Sequence, residues 1–307
     1  MDAIFAIFTN PYYIQVATMI GVYMIAALGL HLITGITGQF SFGHAAFLSI
    51  GAYTSALMSL HLNTPFLVNM VAGGLMAAFC AVLLGIPSFR LTGDYLGITT
   101  LGFGEIVKVV FINMKITGGA GGLGGIPRET NVVLVYVIVV ISIFALYRIQ
   151  NSRFGRALVA IREDEIAAET MGINPLVYKI KGFAVGTFLA GISGALFAHM
   201  MQYLNPADFG FSKSFDLLNF VVLGGLGSIP GAVLGTAVLS LAPEFLRFVR
   251  EYRMLIYGAL MVIMMIFRPY GLLGGVDFVK LWKNRKGNRS DKGDPFNDGT
   301  AVQEGQV

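Results

Sequence analysis

Charge is scarce in this chain. Of its 307 residues only 12% are Asp, Glu, Lys or Arg, about half the share a water-soluble domain carries. A soluble fold of this length needs a charged surface, so the shortage excludes one. Cysteine is limited to Cys80, which excludes an internal disulfide and any zinc or redox cluster built from thiols. The phosphate-binding pattern G-x-x-x-x-G-K-[ST] is absent, so any ATP hydrolysis must come from another chain. No metal-ligand spacing, nucleophile elbow or paired-carboxylate arrangement occurs. No catalytic residue, metal ligand or bound cofactor is therefore assigned, and the chain is not expected to be an enzyme. Residues 1–10 lack a basic region and a small-residue cleavage site, so the first apolar segment is expected to serve as the insertion signal.

Long apolar runs are what the chain has instead. A membrane-crossing helix needs about 20 mostly apolar residues. Candidates are Tyr12–Thr34, Gly43–Leu60, Phe66–Ile86, Tyr95–Met114, Val132–Ile149, Ile180–Tyr203, Phe215–Leu226, Ala232–Phe248 and Met254–Phe267. The expectation is an all-α polytopic membrane protein of about eight to ten spans, occupying residues 1–276. Gly43–Leu60 and Phe215–Leu226 are short or glycine-rich and are expected to be broken or re-entrant. Residues 277–307 are polar and are expected to form a disordered tail.

The net charge of +4 is concentrated in two places, and it speaks to membrane orientation and lipid contact rather than to nucleic acid. Arg148, Arg153, Arg156, Arg162, Lys179 and Lys181 flank one polar segment, and Lys280 to Lys292 crowd the tail. Both should lie in the cytoplasm. Nine spans with the first residue outside satisfy this, but leave Arg247, Arg250 and Arg253 on the outer side. The hexapeptides Gly122–Pro127 and Gly225–Pro230 resemble each other and would lie on opposite sides, as inverted repeats do.

The polar segment 151–179 contains the clearest local signals. Asp164 can cap a short helix, with Glu165 in its first turn and Ala167, Ala168, Glu169 and Met171 in its body. Gly172 suits the left-handed position after its end, and Pro175 prevents continuation. Taken alone, the pattern fits either a solvated loop helix or a helix whose small face, Ala167 and Ala168, packs on another protein. Among polar residues at membrane depth, Glu105 stands three residues before Lys108. It is either a functional group or half of a self-neutralising pair. Ser41, Gly43, His44, Tyr95, Thr99 and Thr100 are further candidates for lining a path, against the alternative of ordinary hydrogen-bonded packing.

Ala167-Ala168 with Gly172 resembles the coupling-helix motif of bacterial ABC importer permeases. That family's usual Glu-Ala-Ala stands here as Ile166-Ala167-Ala168, with Glu163 and Glu165 just upstream. The run Ser41-Phe42-Gly43-His44-Ala45-Ala46-Phe47 through Gly51-Ala52-Tyr53 is similar to the second-helix signature of the LivH/LivM permeases. Gly93 to Ile106, Thr117 to Gly122, and Phe267-Arg268-Pro269-Tyr270-Gly271-Leu272 fit the LivM type. The resemblance covers roughly residues 15–275.

The resemblance implies a type II ABC importer permease for branched-chain amino acids in the bacterial inner membrane, working by alternating access. The implied partners are a LivH-like permease or a second copy, two ABC ATPases that use the ATP, and a periplasmic substrate-binding protein. It implies that Arg162, Glu163, Asp164, Glu165, Ala167, Ala168, Glu169 and Gly172 belong to the ATPase-coupling helix. A urea or short-amide permease of the same family is the near rival. An ion-coupled secondary transporter is the distant one, and it would make Glu105 essential.

Overall fold

A computed structural model describes residues 11–89 and 95–245, with positions 258 and 262 in addition. Its regular structure is helical apart from one short two-stranded ladder. Helix α1 spans Pro11–Leu30 and runs into a π-helical turn, His31–Ile36. There follow α2 (His44–Leu62), α3 (Phe66–Ser88), α4 (Tyr95–Asn113), α5 (Val132–Gln150), α6 (Arg153–Glu163), α7 (Glu165–Thr170), α8 (Pro175–Met201), α9 (Phe211–Gly225) and α10 (Ile229–Phe245). Strands β1 (Leu123–Gly124) and β2 (Tyr203–Leu204) pair antiparallel. Among the described residues, six helical segments are long and apolar enough to cross a membrane. Helices dominate because hydrocarbon offers backbone N–H and C=O groups no partner, and a helix satisfies them within itself.

Burial sorts the spans into layers. The apolar windows of α1 and α8 are 83% buried within this chain, whereas those of α4 and α5 are 22% buried. Helix α8 is therefore the axis, with α1, α2 and α3 packed round it. On the outside, Leu67, Leu75 and Phe79 of α3 and Val133, Val140 and Phe144 of α5 are exposed, as lipid-facing side chains should be. Small residues let the backbones of the inner helices touch. A Cβ on Gly29 of α1 would overlap the carbonyl of Gly186 of α8, and one on Gly186 would come 2.6 Å from the carbonyl of Gly29. Gly51 of α2, Gly73 of α3 and Gly191 of α8 meet in the same way. Polar side chains add cross-links: Ser193 Oγ donates to Val22 O at 2.7 Å and Thr130 Oγ1 to Leu196 O at 2.9 Å.

The chain alternates direction through the bundle. At one end α6 meets the π turn that follows α1, and α7 leans on α6 and the start of α8. At the other, the 115–131 loop closes on the end of α8. There His199 Nδ1 lies 2.9 Å from Pro127 O, and its Nε2 lies 3.1 Å from Ser55 Oγ. A carbonyl only accepts, so Nδ1 carries the proton and Ser55 donates to Nε2.

Eight of the nine expected spans fall on described helices. Apart from positions 258 and 262, Met254–Phe267 lies outside the described residues, as do the three arginines 247, 250 and 253 and the 277–307 tail. The break expected within Gly43–Leu60 lies before it. Residues 37–43 are non-helical and α2 is then continuous. Helix α9, at 15 residues, is about 22 Å long, short of the hydrocarbon thickness. A non-helical stretch and a 3₁₀ turn at Pro206–Phe209 precede it. The two glycine-rich hexapeptides do lie at opposite ends. Gly122 packs on Leu204 and Tyr203 after α8, and Gly227 on Gly35 at the end of α1.

Candidate functional site

The segment after α5 is two helices, not one. Helix α6 was not anticipated, although Phe154, Ala157, Leu158 and Ile161 have the i, i+3, i+4, i+7 spacing of an amphipathic helix. Ser152 caps it, accepting from Gly155 N at 3.2 Å, and Gly155, Ala157, Leu158 and Ile161 are its buried face. Helix α7 is capped where the sequence suggests. Asp164 Oδ1 accepts from Ala167 N at 2.9 Å. At its other end Gly172 takes φ +81°, Gly172 N donates to Glu169 O at 2.9 Å and Ile173 N to Ala168 O at 3.1 Å. This pair of bonds is the Schellman closure, which favours glycine because of that positive φ. Asn174 then caps α8, with Pro175 at its first turn. A 2.6 Å ion pair, Lys179 Nζ to Glu165 Oε2, ties α7 to α8.

The face that α7 offers differs from the expected one. Ala168 is 5% exposed and belongs to this chain's own packing. The outward side is instead carried by Ile166 in the helix, 76% exposed, and Met171 at its C-cap, 82% exposed. Both are large apolar side chains standing out on an otherwise charged segment. Which face of a six-residue helix turns inward is set by how it leans on its neighbours, so no local pattern could show it. Ala167, Glu163 and Glu169 remain on the exposed side. Arg162 turns back toward the bundle, and its Nη1 donates to Gly35 O at 2.6 Å.

The candidate path residues form two groups. Ser41, Gly43, His44 and Thr100 are brought together at a closed junction of α1, α2 and α4. A Cβ on Gly43 would overlap the carbonyl of Thr100. Thr100 Oγ1 receives Phe42 N–H at 3.0 Å and donates to Gly97 O at 2.8 Å. His44 is fully buried, with Nε2 3.1 Å from Ala26 O, and Ser41 is 1% exposed. These four seal helices in this conformation rather than line an opening. Thr99, half-buried, and Glu105 stand on the freer side of α4. The side chain of Tyr95 lies outside the described residues.

Glu105 Oε2 and Lys108 Nζ are 3.1 Å apart, one turn apart on α4. That geometry neutralises both charges on one helix face. Glu105→Gln alone is expected to strip Lys108 of its partner and cost about 1 kcal/mol of thermal stability, with the double variant Glu105→Gln/Lys108→Gln recovering most of it. Melting of the purified complex would measure this. A double variant worse than the single would exclude a self-neutralising pair. Among the described residues no group of three or more His, Cys, Asp or Glu is placed to hold a metal ion.

Residues 12–265 match the family model described as branched-chain amino acid transport system / permease component. The chain belongs to this permease family. The permease is 38% identical over 295 residues to the high-affinity branched-chain amino acid transport system permease protein LivM of Escherichia coli K12, covering 85% of this chain and 69% of that protein. It is 27% identical to the corresponding protein BraD of Pseudomonas aeruginosa, covering 84% and 94%. It is 26% identical to LivH of Salmonella typhimurium, covering 86% and 95%. The permease is thus a multi-pass membrane protein and a transport component of the LivM type. The match takes in α7 and all six of the long apolar segments.

Proposed function

We propose that the permease is the membrane-spanning subunit of an ATP-driven importer, moving branched-chain amino acids inward by alternating access. The observation that carries this is the family match over 12–265, joined to a capped helix that presents Ile166 and Met171 outward. In this reading α7 sits on one of two ABC ATPases. A LivH-like subunit or a second copy of the chain completes the path, and a periplasmic binding protein delivers the substrate. The α6–α7 end and the C-terminal tail face the cytoplasm of a bacterial inner membrane, as the clustered Lys and Arg favour. The lack of a phosphate-binding loop supports a division of labour in which ATP is hydrolysed by partners and this chain binds no cofactor.

Packed helix interfaces tend to have two stable arrangements rather than a continuum. Contacts such as Gly29–Gly186, with few interlocked side chains, suit a change of packing between inward- and outward-open states. The self-paired Glu105 and Lys108 suit this reading better than ion coupling, which needs an exchangeable charge.

Uptake of labelled leucine, isoleucine, valine and urea in cells lacking the permease is the test. Loss of the three amino acids, with urea uptake intact and full return on re-expression, is the expected result. Urea uptake lost instead would move the substrate to the amides. Uptake that follows the proton or sodium gradient and persists without ATP would discard the importer.

A further inference from the structure

We propose that Arg162 is the positioning residue through which the coupling segment acts on the π-helical end of α1. This inference rests on the importer reading. Arg162 lies at the end of α6, two residues before the Asp164 cap of α7, so any displacement of α7 is felt there first. Its three nitrogens are divided between two tasks. Nε and Nη2 pair with Glu163 Oε1, at 3.1 and 2.5 Å. That leaves Nη1 aimed at Gly35 O, 2.6 Å away in the last turn of the π segment. A carbonyl in a last helical turn has no partner within its helix, and here a side chain 127 positions away along the chain supplies one.

The contact reaches further than one bond. The stem of Arg162 fills the space beside Gly38, whose φ is +75°; a Cβ there would lie 2.5 Å from Arg162 Cγ. Gly227, in the turn between α9 and α10, is also adjacent: its Cβ position is 3.8 Å from Nη1, and the Cβ position of Gly35 is 3.2 Å from Gly227 N. One side chain therefore touches the π turn and the loop leading to α2, and borders the α9–α10 turn.

The π turn is packed on all sides, but its polar side chains are left unpaired. Both ring nitrogens of His31, the hydroxyl of Thr34 and the amide of Gln39 are buried without a hydrogen-bond partner among the described residues. Apart from the Thr37 hydroxyl, which donates to Leu32 O at 2.9 Å, the turn is tied from outside by Arg162. A π turn carries one residue more than an α turn, and such insertions concentrate at functional sites. A buried turn whose polar side chains have no fixed partners has few directional bonds to break, so it can switch between two packed windings when the external bond is pulled. Residues 37–43 then carry the shift to the Gly43–Thr100 junction. Lysine is a poor substitute, because one ammonium on a flexible stem cannot hold Glu163 and Gly35 in a fixed fork.

The test uses the complete importer, reconstituted with its ATPases and binding protein. The structure places Arg162 in α6 with its side chain turned in to Gly35, outside the α7 helix that the resemblance implied for it, so Arg162→Gln is expected to retain the ATPase subunits and to hydrolyse ATP at close to the wild-type rate. Leucine moved per ATP should fall about tenfold, the size of a typical coupling between sites. Arg162→Lys should fall between the two, and so should Glu163→Gln, a surface change that leaves the fold intact. Amide hydrogen exchange over residues 31–39 gives a readout independent of substrate. It should respond to ATP in the wild type and not in Arg162→Gln. Hydrolysis and uptake falling together, or ATPases lost, would make Arg162 a docking contact and overturn the proposal, as would unchanged transport. A wild type that shows the exchange response but moves no leucine would overturn the substrate reading while upholding this role.

Discussion

Gly191→Leu is expected to abolish accumulation of folded permease. A Cβ at this position in α8 would sit 2.6 Å from the carbonyl of Gly73 and 2.8 Å from Ala77 Cβ and Gly74 Cα. From the α2 side, a Cβ on Gly51 would overlap Gly191 itself. Three helices thus meet backbone to backbone at one level. Two of the three nearest atoms belong to the main chain, which cannot move aside as a flexible side chain can. Overpacking a well-filled site by even a few methylenes costs about 1–3 kcal/mol. A leucine wedged against backbone on the bundle axis should exceed that and part α2 and α3 from α8. Membrane-fraction immunoblots with size-exclusion profiles in detergent would measure the loss. Gly102→Leu on α4, where nothing lies within 4 Å of the added Cβ, should accumulate normally. Equal yields and equal melting for the two variants would refute the close packing of this axis.

Replacing Ile166 and Met171 together by Asp should release the ATPase subunits while the permease itself still folds. Both side chains are exposed by more than three quarters, so the chain's own core loses nothing. At a docking surface, apolar anchors of this kind carry about 2 kcal/mol or more each. The pair should therefore lower ATPase retention well over tenfold, and leucine uptake with it. Ala168→Asp makes an instructive contrast: it strikes the buried side of α7 and should reduce the amount of folded permease as well. Co-purification of the ATPase with a tagged permease decides the matter. Undiminished retention in the Ile166/Met171 variant would move the docking surface elsewhere.

How far each of these features could be read in advance depends on its range along the chain. Helix α7 was legible because its signals are local: the Asp164 cap, the positive-φ Gly172 and Pro175 all act within a few residues. The apolar runs were legible because a hydrocarbon solvent imposes length and composition. Helix α6 had a readable spacing, but four charged residues in its eleven hid it among loop signals. The start of α8 at Pro175 lies five residues before the expected one, because Lys179 and Lys181 separate its first turn from the apolar run that marks the span. His44 and Thr100 seemed equally suited to a path or to packing. Their burial follows from Gly43 meeting the α4 backbone at Thr100, a contact between residues 57 positions apart in the numbering.

By itself, then, the sequence determined that this protein lives in a membrane, where its spans lie, and that a short capped helix interrupts them. Those properties arise from solvent transfer and from neighbouring residues. Only the tertiary structure decided that α8 is the axis, that Ala168 turns in while Ile166 and Met171 turn out, and that Arg162 holds Gly35. Each of those depends on contacts between parts of the chain far apart in the numbering, up to 171 positions for Ser193 and Val22, and where two backbones touch, glycine's missing side chain permits the approach without naming the partner.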